Sequence, residues 1–144
     1  MIFNPTRLEL RKLYFDSWYK HLNKQLLTDL EIQIVRVIEY HPEYQNFLSN
    51  LYNLDKDFPP ELGETNPFLH MSLHLALIEQ VITNRPQGIS DIYHALCKAH
   101  LNDEHTVHHK MMNYLAESIW SAQKNSTVAD QEVYLSQLRN LLVK

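Results

Sequence analysis

Only two of the 144 residues are glycine, Gly63 and Gly88. A chain so poor in glycine has almost no residue free to take positive φ, which two-residue hairpin turns and phosphate-cradling loops need. Strand-rich folds are therefore starved of turns, and helices joined by short connections are favoured. The length suits one domain with one core. An apolar fraction of 44% with 21% charged residues is ordinary globular usage rather than the signature of disorder.

Punctuation along the chain supports helices. Asn4-Pro5 reads as a cap followed by proline at the first helical position. Leu8, Phe15, Leu22 and Leu26, with Trp18 and Tyr19 between them, repeat at helical spacing, so one buried face is expected to about residue 26. Thr28 or Asp29 caps a second helix, "LEIQIVRVIEY", which His41-Pro42 should end, because proline pushes the preceding residue out of the helical region. A short helix follows in "EYQNFLSNLY". Residues 53–66 read as one long acidic loop carrying Asp55, Asp57, Glu61 and Glu64. Asn66-Pro67 opens a helix to about Asn84, Ser90 caps the next, and Asn102 or Asp103 caps a long one to about Lys124. Thr127 with Asp130 resembles a capping box for the last helix, whose face would be Val128, Leu135, Leu138 and Leu142. The expected fold is all-α: a single domain over 1–144, built as a helical bundle of about five long helices plus one short helix.

Several function classes recede on composition. A net charge of −4, with no basic block, disfavours nucleic acid. No apolar run approaches the roughly twenty residues of a membrane span, and the N-terminus lacks a signal-peptide core. The single Cys97 excludes an internal disulfide and a multi-thiolate zinc site, and suits a reducing cytoplasm. The basic positions of the first helix (Arg7, Arg11, Lys12, Lys20, Lys24) read as a solvated face, although an acidic protein partner would fit them.

Histidine is the residue that does not fit a plain core. His70 and His74 are four apart on the helix from Pro67, in the same arc as Leu77 and Val81. On the helix from about Asp103, His105 and His108 share an arc with Met112, Leu115 and Ile119, with Glu104 and His109 on its flanks. If successive helices alternate in direction, both histidine-bearing N-termini and His100 come to one end of the bundle. Imidazoles at i,i+4 present two nitrogens on one helical face, the spacing used by zinc and iron sites. The expected ligands are His70, His74, His105 and His108, with Glu104, His109 and His100 in reserve, for Zn²⁺, Fe²⁺, Mn²⁺ or Ni²⁺. The protease pattern H-E-x-x-H is absent, and Glu104 stands four and five residues before His108 and His109 rather than the three of carboxylate di-iron bundles. His21, His41 and His94 have no companions at helical spacing and read as structural or surface residues. The alternative is a metal-free structural or protein-interaction module whose histidines hydrogen-bond one another; a third reading is a histidine pH switch at an interface, with an oligomeric state that follows pH. The residues name no reaction, no catalytic group and no oligomeric state.

The runs "NPFLHMSLHLALIEQVITNRPQGI" and "EHTVHHKMMNYLAESIWSAQ", with the opening "NPTRLELRKLYFDSWYKHL", resemble the uncharacterised bacterial domain-of-unknown-function family numbered eighteen forty-one. The resemblance is close over residues 64–123 and contains His70, His74, His105, His108 and His109. It implies a bacterial cytosolic protein and supplies no reaction.

Overall fold

In the computed structural model, residues 6–58 and 66–143 are described, and they are helical with no strand among them. The α-helices are α1 (Arg7–Leu22), α2 (Asp29–Glu39), α3 (Gln45–Leu48), α4 (Pro67–Thr83), α5 (Ile89–Ala99), α6 (Glu104–Lys124) and α7 (Gln131–Asn140). Short 3₁₀ turns at Pro42–Tyr44 and Leu51–Asn53 flank α3. The expected all-α class is observed, with six longer helices rather than five beside the short one. By its contacts the chain forms two compact units, Met1–Met71 and Ser72–Lys144, and the division falls inside the unbroken α4.

In the first unit α1 and α2 pair. Thr6 caps α1, accepting from the Glu9 amide; the expected Asn4-Pro5 start lies outside the described residues. The helix stops at Leu22 and not near residue 26, because Lys24 adopts φ 55° and the Gln25 amide closes back on the Lys20 carbonyl at 2.9 Å. Tyr14, Phe15 and Trp18 are buried, whereas Leu8, Leu22 and Leu26 are exposed, so the aromatics define the core face and the leucine repeat does not. Ile34, Val35, Val37 and Ile38 supply the α2 side. Thr28 and Glu31 form a reciprocal capping box on α2. Phe68, in the first turn of α4, meets Phe15 and Phe47 at centroid distances of 6.0 and 5.4 Å. Arg11, read as solvated, is instead buried: its guanidinium lies 4.4 Å from the Phe68 centroid and donates to the Leu54 and Lys56 carbonyls. It ties down the start of the acidic loop. Of that loop's carboxylates, Glu61 and Glu64 lie outside the described residues.

In the second unit Leu77, Ile89, Leu96, Val107, Met111, Leu115, Tyr134 and Leu138 form one apolar cluster. Gly88, at φ 104°, is the N-cap of α5; Ser90, the expected cap, sits inside the helix and donates its hydroxyl to the Val81 carbonyl. Asp103 caps α6. Asp130, not Thr127, caps α7, taking the Glu132 and Val133 amides at 3.1 Å. Val128 therefore stays outside the last helix and exposed, and α7 buries Tyr134, Leu135 and Leu138. No described helix is long and apolar enough to cross a membrane.

Candidate metal centre

Each unit carries a group of histidines, and α4 runs through both. In the first unit, Pro42 forces the end of α2: His41 takes φ −128°, ψ 71°, outside the helical region that proline disfavours for the residue before it. Its ring is thereby turned inward and is 2% exposed. It meets the His70 ring edge-on at 4.6 Å between centroids. Tyr44 stacks on His41 at 5.2 Å and touches His70 at 6.0 Å. The Nδ1 atom of His41 lies 3.2 Å from the Glu43 carboxylate.

In the second unit, His74 has no exposed surface. Its Nε2 is 2.8 Å from His108 Nδ1, and its ring lies 5.4 Å from His109 and 6.4 Å from His105. His105 and His109, four apart on α6, stack at 4.2 Å, and His109 Nδ1 donates to the His105 carbonyl at 2.8 Å. Tyr93 on α5 stacks on the His108 ring at 5.4 Å. Burial pulls the His108 pKa down to about 4, against the opposing pull of Glu104 and with help from His109 and His105, so this ring is neutral at neutral pH.

His41, His70, His74 and His109 can each offer one ring nitrogen; those atoms all lie within 4.8 Å of one another, and the group could hold a metal ion. Of the expected ligands, His70 and His74 belong to it. His108 stands behind His74, bonded to it. His105 is exposed beside His109, because the buried face of α6 is turned toward Val107 and Met111 relative to the arc expected from the sequence. Of the reserves, His109 joins the group. His100 faces other partners: Nδ1 donates to the Leu96 carbonyl and Nε2 takes the Lys110 ammonium, each at 2.9 Å. Glu104, exposed in the first turn of α6, acts on His108 through its charge. His41 was missed by helical spacing, since its neighbour is a tertiary one. The one local signal was a histidine set before proline at the end of a strongly apolar helix.

Taken together, the described residues define an all-α protein with a partly buried histidine cluster that could hold a metal ion. Residues 6–140 match the family model described as Domain of unknown function (DUF1841), and the chain belongs to that family. No curated protein and no solved structure shows a significant match to it.

Proposed function

We propose that this protein binds a divalent transition metal through His41, His70, His74 and His109. One observation carries the reading: in three of the four, the second ring nitrogen is already held. His41 Nδ1 faces the Glu43 carboxylate, His109 Nδ1 donates to a backbone carbonyl, and His74 Nε2 meets His108. Metal-binding histidines characteristically give their other N–H to a carboxylate, carbonyl or similar acceptor, which fixes the ring and the tautomer and raises ligand basicity. On this reading Nε2 of His41, Nε2 of His109 and Nδ1 of His74 would be the coordinating atoms. Four imidazoles around one ion favour zinc, iron, nickel or copper over magnesium and calcium, which prefer oxygen. All four ligands are neutral, so the ion would keep its charge and acidify any bound water.

Metal nitrogens sit about 2.0–2.1 Å from zinc. Ligand atoms spread over 4.8 Å or less need only modest side-chain rotations to reach such a centre. Elemental mass spectrometry of protein purified without a histidine tag tests the reading. About one metal per chain is expected, falling to background in His41→Ala/His74→Ala. If none is bound after anaerobic reconstitution with Zn²⁺, Fe²⁺, Mn²⁺, Ni²⁺ and Cu²⁺, the metal reading is overturned. The 2.8 Å His74–His108 contact then belongs to a metal-free hydrogen-bond network.

A further inference from the structure

The geometry points to His108 as a positioning residue that fixes His74 as an Nδ1 ligand, an inference that rests on the metal-binding reading above. Both rings are buried, at 0% and 5% exposure, and they share one short contact between His74 Nε2 and His108 Nδ1. Only one of those two nitrogens can carry the proton between them. If His108 Nδ1 carries it, a neutral His74 keeps its own proton on Nδ1, where it would block coordination. If His74 Nε2 carries it, His74 donates to His108, and Nδ1 of His74 presents a lone pair. The two arrangements differ by moving one proton on each neutral ring, so the pair holds no net charge in either. Metal binding selects the second arrangement.

The His108 ring is itself held for this task. Tyr93 stacks on it nearly parallel, at 16° between planes, so the imidazole plane is set by α5 while its attachment is on α6. His74 comes from α4. Three helices of the second unit thus converge on one ligand orientation. The residue that the sequence pattern offers as a metal ligand becomes, by this contact, the acceptor behind one. The ring of His105, the other α6 histidine of that pattern, lies farther from His74, at 6.4 Å between centroids against 4.8 Å for His108.

The test uses the full chain loaded with Zn²⁺. Two-bond ¹H–¹⁵N correlation spectra of histidine-labelled protein report which nitrogen of His74 is metal-bound and which is protonated. The expected result is Nδ1 coordination with a slowly exchanging Nε2 proton. His108→Leu removes the acceptor and is expected to weaken Zn²⁺ binding 10–100-fold, the usual cost of losing such a partner. His108→Gln, whose amide oxygen can accept the same proton, is expected to restore most of it. Coordination of His74 through Nε2 in the wild type overturns the assignment, even if His108→Leu does not fold. So does equal weakening in the Gln and Leu variants. Both of those results leave zinc bound to the wild type and the metal reading standing, whereas a wild type that takes up no zinc overturns the two together.

Discussion

A buried polar side chain states its role through its partners, and three residues here allow that to be tested one at a time. His41 is almost fully enclosed and edges onto His70, whereas His105 is exposed and stacks on its i+4 neighbour. His41→Ala is therefore expected to abolish metal retention and His105→Ala to keep at least half, as read by metal-to-protein ratio after gel filtration. The ranking is the reverse of what spacing implies, since spacing sees i,i+4 pairs and is blind to a ring brought in from another helix. Glu31 offers a pH test away from the cluster. Its carboxylate accepts from Lys20 at 2.7 Å and from the Thr28 amide at 2.9 Å, and these bonds, Lys20 first, hold its pKa below the usual 4.5. The folded state thus binds this proton less readily than the unfolded chain does. The resulting stability is complete above about pH 4.5 and drains away as pH falls below it. Glu31→Gln keeps an oxygen to accept from the Thr28 amide, so it is expected to cost less than about 1 kcal/mol at pH 7, through the lost charge facing Lys20, and to flatten the acid limb of a urea-denaturation series between pH 4.5 and 3. An unchanged acid limb would show that the bond to Lys20 does not set this titration.

Helix ends show best how far the chain could be read before it was folded. Starts with a side-chain cap next to a strong signal were legible: Thr28 with Glu31, Asn66 before Pro67, Asp103. Stops were legible for α2 at His41-Pro42, for α4 near Asn84 and for α6 near Lys124, while that of α1 was not, because it closes without the usual glycine. Four helices close with a left-handed residue that is not glycine: Lys24 at φ 55°, Asn84 at 54°, Leu101 at 54° and Ser126 at 52°. In each case the next amide reaches back five residues, as in Asn102 to the Cys97 carbonyl at 2.7 Å and Thr127 to the Ala122 carbonyl at 2.9 Å. This is the Schellman closure with the usual glycine replaced. Nothing in "HLNKQL" announces it, so α1 read too long, and the α5–α6 corner could be placed only by its cap. Leu101 gives a clean measurement, since it is exposed and has no packing to lose. A non-glycine residue pays about 1–2 kcal/mol in this conformation, and glycine gives back roughly 0.5–1 kcal/mol through its greater unfolded freedom. Leu101→Gly is thus expected to stabilise the chain by roughly 0.5–1 kcal/mol in thermal or urea unfolding. The opposite sign is expected at Gly88, whose φ of 104° no β-carbon tolerates well: Gly88→Ala should destabilise although the added methyl would meet only Arg139 Nη2, at 3.9 Å.

For the molecule as a whole, metal binding by the histidine cluster, as proposed, would make folding and metal supply one equilibrium. Its side chains are fixed by helix ends, a pre-proline corner and ring stacking, none of which exists in the unfolded chain, so an ion held there would bind the folded state far better. The gain follows mass action: at a free metal concentration 100 times the dissociation constant it is about 2.7 kcal/mol. For a chain of this size that is a rise in Tm of roughly 5–10 °C at 2–4 °C per kcal/mol. The only thiol in the sequence, Cys97, is buried and its pKa is raised by that burial, which keeps it protonated and out of the coordination chemistry. The stabilisation should therefore depend on imidazole alone. Zn²⁺ or Ni²⁺ is expected to raise Tm, EDTA to reverse the rise, and Mg²⁺ or Ca²⁺ at the same concentration to leave Tm where it was, because neither cation favours nitrogen. His41→Ala/His74→Ala should unfold at one temperature with or without zinc. A wild type equally stabilised by Mg²⁺ and Zn²⁺ would locate the effect in surface carboxylates rather than in the histidines, and the proposed centre would fall. A response to zinc that survives the double substitution would do the same.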